Sequence, residues 1–256
     1  MSAILLRHDD GPITTLTLNT PANLNALSSA MLLALDAALT ALTPHTRVLI
    51  LTATGRTFCA GHDLRELQAL RAAPDHGRAA FTTLFSLCAA VMQRLADLPQ
   101  PTIAAVQGVA TAAGCQLAAS CDFIVAADTA RFGVNGVNIG LFCTTPLVAL
   151  SRKIPAAQAF ALAATGRFLT APEAKAQGLV TTITPTETLD LETQALAATL
   201  AAKLPAALAF GKRARHDPGL AAAYASATAT MIDNLMHPMT AEGLTAFLEK
   251  RAPNWP

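Results

Sequence analysis

Charge is scarce in this sequence. Only 14% of its 256 residues are Asp, Glu, Lys or Arg, and the formal net charge is +1. Such a balance offers no basic surface for nucleic acid and no polybasic patch for a membrane. The one basic cluster, Lys212-Arg213-Ala214-Arg215-His216, reads as a solvated helix face. No apolar run reaches the ~18 residues of a membrane span without a polar interruption. Short Ala-rich stretches such as Ala221-Ala222-Ala223 explain the positive mean hydropathy without lipid. Cysteines are few and odd in number: Cys59, Cys88, Cys115, Cys121 and Cys143. With no CxxC spacing they fit neither a disulfide framework nor a zinc site, so reduced buried thiols in a cytoplasmic protein are expected. No metal-ligand cluster is visible. No GxGxxG follows a first strand, so neither nicotinamide nor flavin is expected. The N-terminus shows neither the basic and then apolar order of a signal peptide nor the acid-poor composition of a transit peptide.

Apolar residues make up 52% of the chain, enough for a sizeable core in one large domain or a domain with an appendage. Ile13–Leu18 alternates as a strand does, and Ser28 or Ser29 is placed to cap a helix through about Leu42. Val48–Leu51, Ile103–Val106 and Phe123–Ala126 read as further strands, and about Phe81 to Leu95 as a helix. Beyond about Ala156 the pattern is helical, apart from a strand at Val180–Ile183. Strands alternating with helices imply an α/β fold, and no fixed-period repeat is visible.

Two segments follow strands and lead into helices through small residues. One is Thr57-Phe-Cys-Ala-Gly-His-Asp-Leu64. The other is Gly108-Val-Ala-Thr-Ala-Ala-Gly-Cys-Gln-Leu117. Turns of this kind leave N–H groups free at helix starts, and two that converge form an oxyanion hole. Spacing alone allows two ordinary turns as well. Asp63 is placed to cap the next helix, Asp122 to fix a strand start, and Arg65 and Glu66 to form a solvated face.

The sequence resembles the crotonase, or enoyl-CoA hydratase/isomerase, superfamily along almost its whole length. The resemblance is carried by Asn23-Leu-Asn-Ala-Leu27, Phe58–Leu64, Ile103–Val109, Ala113–Ala118, Cys121-Asp122, Phe132-Gly133, Thr170–Ala174, Ala176–Val180 and Ala246–Arg251. Within the family, Ala110–Leu117, Gly136-Val-Asn138 and Gly140–Cys143 are most similar to the third subtype of enoyl-CoA hydratase domain-containing proteins. The resemblance implies a ββα spiral core over 1–200 that binds acyl-CoA. It also implies a C-terminal α-helical oligomerisation region over 201–256, hence a homotrimer or homohexamer. Coenzyme A enters as part of the substrate, with no separate cofactor.

The resemblance places the oxyanion donors at the amides of His62 and Ala113. Ala113 stands where the family usually has Gly. The two hydratase carboxylates map onto Gln116 and Gly136, neither of which can exchange a proton as a carboxylate does. If only that pair is missing, Gln116→Glu with Gly136→Glu would create hydration. Leu24, Ala26, Cys59, Ala60 and His62 map onto coenzyme A contacts, Phe247 onto the acyl pocket and Lys250 onto the phosphates. Phe247 and Lys250 are read on the C-terminal helix, serving either their own site or a neighbour's. Four residues keep more than one reading. Gln116 holds a water or substrate carbonyl by hydrogen bonds, or is a neutral filler of the carboxylate position. The His62 imidazole is either an acid/base group or packing beside a functional amide. Asn138 lines the pocket or fixes a loop. Cys143 is a pocket residue, as in a methylmalonyl-CoA decarboxylase-like branch, a thioesterase nucleophile, or an inert thiol. A non-catalytic acyl-CoA-binding protein is the reading from another class.

Overall fold

The structure is a computed structural model that describes residues 3–214 and 219–254. Two sheets organise it. β1 (Leu5–Asp10) and β2 (Ile13–Leu18) form an antiparallel hairpin, and β2 lies parallel to β3 (Val48–Ala53). The sheet continues in parallel through β5 (Thr102–Val106), β7 (Phe123–Ala127) and β10 (Thr182–Thr184), in the order β1-β2-β3-β5-β7-β10. The smaller sheet joins β4 (Thr57–Cys59), β6 (Val109–Thr111), β8 (Arg131–Gly133) and β9 (Phe168–Thr170), the last antiparallel. Each of β3, β5 and β7 is followed by a short strand of the second sheet, and the chain then enters a helix. This is the expected α/β spiral. Its turns differ in length, so the sequence shows no fixed period.

The helices are α1 (Ser29–Thr40), α2 (Leu64–Leu70), α3 (Arg78–Asp97), α4 (Ala113–Ser120), α5 (Thr144–Leu150) and α6 (Ala156–Thr165). After them come α7 (Ala171–Ala176), α8 (Leu189–Ala201), α9 (Pro205–Ala214), α10 (Leu220–Met236) and α11 (Pro238–Leu248). Ser28 caps α1 by accepting from the Met31 amide at 3.2 Å, and the helix buries Met31, Leu32, Leu35 and Leu39 on one face. Thr170 and Glu173 form a capping box that starts α7. Every residue of β5 is buried, and Ala104 and Ala105 keep that parallel strand thin enough to be covered on both faces. α3 has the length and apolarity of a membrane span, but it packs on α1, α4 and α10 and buries Phe81, Phe85, Val91 and Met92, as a core helix does.

The structure corrects several expectations. The late strand is Thr182–Thr184, two residues on from Val180. β4, β6, β8 and β9 have three residues each, too short for alternation to reveal. Lys212 does not belong to a solvated face. Its ammonium lies 2.7 Å from the Asp122 carboxylate, both side chains are 10% exposed, and it donates to the Gln100 carbonyl. Arg215 and His216 of that cluster lie outside the described residues. Asp122 does fix strand starts, accepting from both the amide and the hydroxyl of Thr102. Glu66 turns inward and accepts from the Ser29 amide at 3.0 Å.

Candidate active site

The first of the two turns leaves β4 and enters α2. Asp63 caps α2 through the Arg65 amide at 2.9 Å and accepts from the Asn23 side chain at 2.8 Å. The second turn leaves β6 and enters α4 through Ala112, whose φ of 51° and ψ of −124° suit glycine far better than an L-residue. The two turns touch backbone to backbone. A Cβ on Gly61 would meet the Ala112 Cβ at 2.9 Å and the Ala113 nitrogen at 3.2 Å. A Cβ on Gly114 would meet the Cys59 carbonyl oxygen at 2.2 Å. Two glycines therefore permit the approach that brings His62 beside Ala113. Among the described residues, neither the His62 nor the Ala113 amide donates to a protein acceptor.

The 24–27 segment braces this arrangement. The Ala60 amide donates to the Leu24 carbonyl at 3.1 Å, and the Leu27 amide to the Gly61 carbonyl at 2.7 Å. Leu24 and Asn25 are both left-handed, with φ of 51° and 53°. Asn25 is fully buried. Its side-chain amide donates at 2.8 Å to the carbonyls of Thr54 and Thr57, and its oxygen accepts from the Thr20 amide.

A cavity of about 450 Å³ opens beside the two amides. Leu24, Ala60, His62, Ala113, Gly136, Asn138, Cys143 and Phe247 all line it. Four other expected residues do not. Ala26 and Cys59 are buried behind the wall, Gln116 is fully buried beneath it, and Lys250 is exposed beyond α11 with a left-handed φ of 56°. Phe247 reaches the cavity of its own chain. No Asp, Glu, Lys or Arg is among the lining residues.

The surroundings of the His62 imidazole bear on one open pair of readings. Its Nδ1 lies 3.2 Å from the Leu27 carbonyl, which only accepts, so Nδ1 carries the proton. Nε2 has no partner and no accessible surface, and the ring packs edge-on to Phe85 at 4.7 Å between centroids. Burial lowers its pKa from 6.5 to about 4, so the ring is neutral. A ring nitrogen with no accessible surface and no partner favours the packing reading of this side chain. Burial likewise raises the Cys143 thiol to about 11, which removes the thiolate a nucleophile requires.

Gly136 has no room for a side chain. A Cβ there would sit 2.3 Å from the Leu141 carbonyl oxygen and 2.8 Å from the Cys143 sulfur. The surrounding loop is closed by the Leu141 amide donating to the Gly136 carbonyl at 3.0 Å. It is held to the C-terminal helices by Asn234, which accepts from the Phe142 amide and donates to the Gly140 carbonyl. Sequence reading missed Asn25 and Asn234 as braces. It also missed Thr111 and Asn135, whose side chains hydrogen bond at 2.6 Å in the cavity wall, and Phe85 and Met231, which line it. Asn25 lies inside a quoted motif, so its buried amide was within reach. Phe85 and Met231 read only as core positions of their helices, and nothing local marks Thr111, Asn135 or Asn234.

Comparison with known proteins gives a consistent result. The family profile described as Enoyl-CoA hydratase/isomerase matches residues 9–256. Enoyl-CoA hydratase domain-containing protein 3, mitochondrial, of Danio rerio is 41% identical over 259 residues, spanning 99% of this chain and 88% of that protein. The crystal structure of an enoyl-CoA hydratase from Mycobacterium smegmatis is 46% identical with a TM-score of 0.79, covering 99% of both chains. Human enoyl-CoA hydratase domain-containing protein 3 is 36% identical with a TM-score of 0.78, covering 99% of this chain and 100% of that one. The cytoplasmic expectation is overturned here, because the zebrafish protein and its rat and human counterparts are named as mitochondrial.

Proposed function

The chain belongs to the enoyl-CoA hydratase/isomerase family, which processes acyl-CoA thioesters, and from that premise we propose an enzyme that activates the thioester carbonyl without a carboxylate pair. The amides of His62 and Ala113 hold the carbonyl oxygen as charge develops on it. The reading rests on one observation. Two unpartnered N–H groups are clamped side by side at an apolar cavity whose described lining holds no Asp, Glu, Lys or Arg. Donors of this kind are each worth about 2.7–4 kcal/mol of barrier. Losing a general acid or base forfeits 10²–10⁴-fold, on the order of what separates a hydratase from a feeble one.

Chemistry that makes its own enolate suits such a site. In a malonyl-type thioester the bond to the carboxylate breaks, carbon dioxide leaves, and the electron pair moves onto the thioester oxygen held by the two amides. A proton then adds to carbon. No base is needed for the first step. Hydrolysis through Cys143 is disfavoured by its raised pKa and by the His62 ring being neutral, with its Nε2 buried.

Coenzyme A is bound as part of the substrate. Leu24, Ala60 and His62 meet the pantetheine side, Phe247 the acyl pocket, and exposed Lys250 the phosphates. Ala26 and Cys59 act from behind, through the backbone they hold in place. A homotrimer or homohexamer built through the 201–256 helices is supported by the exposure of Leu204, just before α9, and of Phe210 within it, at 69% and 64%. Sedimentation would measure the assembly.

The test is a steady-state assay of the purified protein against a panel of CoA thioesters that includes crotonyl-CoA and a malonyl-type thioester, with CoA release followed separately. Turnover of the malonyl-type thioester without crotonyl-CoA hydration is expected. Efficient hydration of crotonyl-CoA would overturn the reading. Binding without any turnover would make the chain an acyl-CoA-binding protein.

A further inference from the structure

Four helices close a ring inside the chain. α3 packs on α10, α10 on α5, α5 on α4, and α4 on α3. The acyl-CoA cavity reaches one end of that ring at Phe85, Ala113 and Met231. A second cavity of about 310 Å³ reaches the other end at Met92, Ser120 and Tyr224. On each of α3, α4 and α10 the two lining residues are seven positions apart. That is two helical turns on one face, or about 10 Å.

One turn in from the first cavity lie Cys88, Gln116 and Thr228, which are 1%, 0% and 8% exposed. This middle layer is polar without being satisfied. Both amide atoms of Gln116 and the hydroxyl of Thr228 are buried with no hydrogen-bond partner. The side chains facing the Tyr224 phenol are Gln116 and Ser120, with the phenol itself at the second cavity. Buried amides and hydroxyls in proteins are almost always paired, to protein or to internal water. Here Thr228 has no protein partner and Gln116 is offered only the Tyr224 phenol, and an open cavity lies one turn away on either side.

We propose that this seam is a hydrated passage joining the two cavities, with Gln116, Thr228 and Tyr224 holding its waters, and that it carries protons to the acyl site. The described wall of the acyl cavity holds no Asp, Glu, Lys or Arg to supply a proton. An enolate formed there takes its proton from the innermost water, forming a C–H bond as an O–H bond breaks. The hydroxide left behind is neutralised by proton transfer along the chain of waters from the second cavity. This use rests on the enolate reading above, whereas hydration of the seam does not.

The two parts are tested separately on the full chain. A high-resolution crystal structure of the protein should place a water within hydrogen-bond distance of the Gln116 amide. Thr228→Val, which keeps shape and removes the hydroxyl, should lower the melting temperature. A dry Gln116 together with a Thr228→Val protein that melts higher than wild type would overturn the passage. The proton role is read in deuterium oxide, as deuterium incorporated per turnover of a malonyl-type thioester and as the solvent isotope effect. Thr228→Val and Gln116→Met should slow turnover and enlarge that isotope effect. If both variants match wild type while the waters are present, the passage stands and its role in proton delivery falls.

Discussion

Restoring a carboxylate at position 136 is the direct way to ask whether this site is a hydratase lacking only its acid and base. The geometry says that it fails for a steric reason. The first atom of any side chain at Gly136 would lie 2.3 Å from the Leu141 carbonyl oxygen and 2.8 Å from the Cys143 sulfur. The sulfur could swing aside. The carbonyl could not, because the Leu141 amide bonds back to Gly136 and Asn234 pins Gly140 and Phe142. Overpacking typically costs about 1–3 kcal/mol, and a fixed backbone atom puts Gly136→Ala near the upper end. In a chain of this size each kcal/mol moves the melting temperature by about 2–4 °C, so a fall of about 6–12 °C is expected. Removing the sulfur in Gly136→Ala/Cys143→Ala should not restore the loss, since the nearer clash remains. Gln116→Glu/Gly136→Glu should gain no hydration of crotonyl-CoA. The assay pairs thermal melts with the loss of enoyl absorbance. A Gly136→Ala protein that melts with wild type, or a folded double-Glu variant that hydrates crotonyl-CoA, would refute the reasoning.

Other residues give further tests. Ala112→Gly should raise the melting temperature, because relief of about 1–3 kcal/mol of left-handed strain exceeds the 0.5–1 kcal/mol entropic cost of glycine; a lower melting point would count against the strained turn. Lys212→Met should cost about 3 kcal/mol in urea unfolding, the low end for a broken buried pair because Thr102 still donates to Asp122; an unchanged midpoint would mean that the pair is idle. His62 is neutral when folded, with a pKa of about 4 against an ordinary 6.5, so the unfolded chain binds more protons between those values. Stability should therefore fall by about 3 kcal/mol as pH drops through that window, and His62→Gln should flatten the slope in urea melts while keeping turnover, since it keeps the amide. An unaltered slope, or activity lost without loss of fold, would show that the imidazole does more than pack.

Local signals carried much of this architecture. Ser28 or Ser29, and Asp63, are read as caps from the residues that follow them, and Ser28 and Asp63 accept the amides a cap must accept. Asp122 is read as fixing a strand start, and it ties β5 to β7. The long strands are legible because burial on both faces writes continuous apolar runs such as Val48–Leu51. The three-residue strands are not, because three positions cannot show a period, although they carry the turns on which the site depends. What local pattern cannot carry is the consequence of close approach. Gly61, Gly114 and Gly136 look alike in sequence, as glycines in small-residue turns. Their neighbours differ: an Ala112–Ala113 backbone, a Cys59 carbonyl and a Leu141 carbonyl. The first two hold a pair of amides together, and the third closes the place where a second carboxylate would stand. The His62 side chain shows the same limit. Its position beside the cavity is implied by motif, but whether its free nitrogen faces the cavity or the core depends on Leu27 and Phe85, at 35 and 23 residues' remove. The chemistry left to the site follows from those tertiary facts. On the function proposed above, the two turns activate the carbonyl, while proton transfer comes from substrate or solvent.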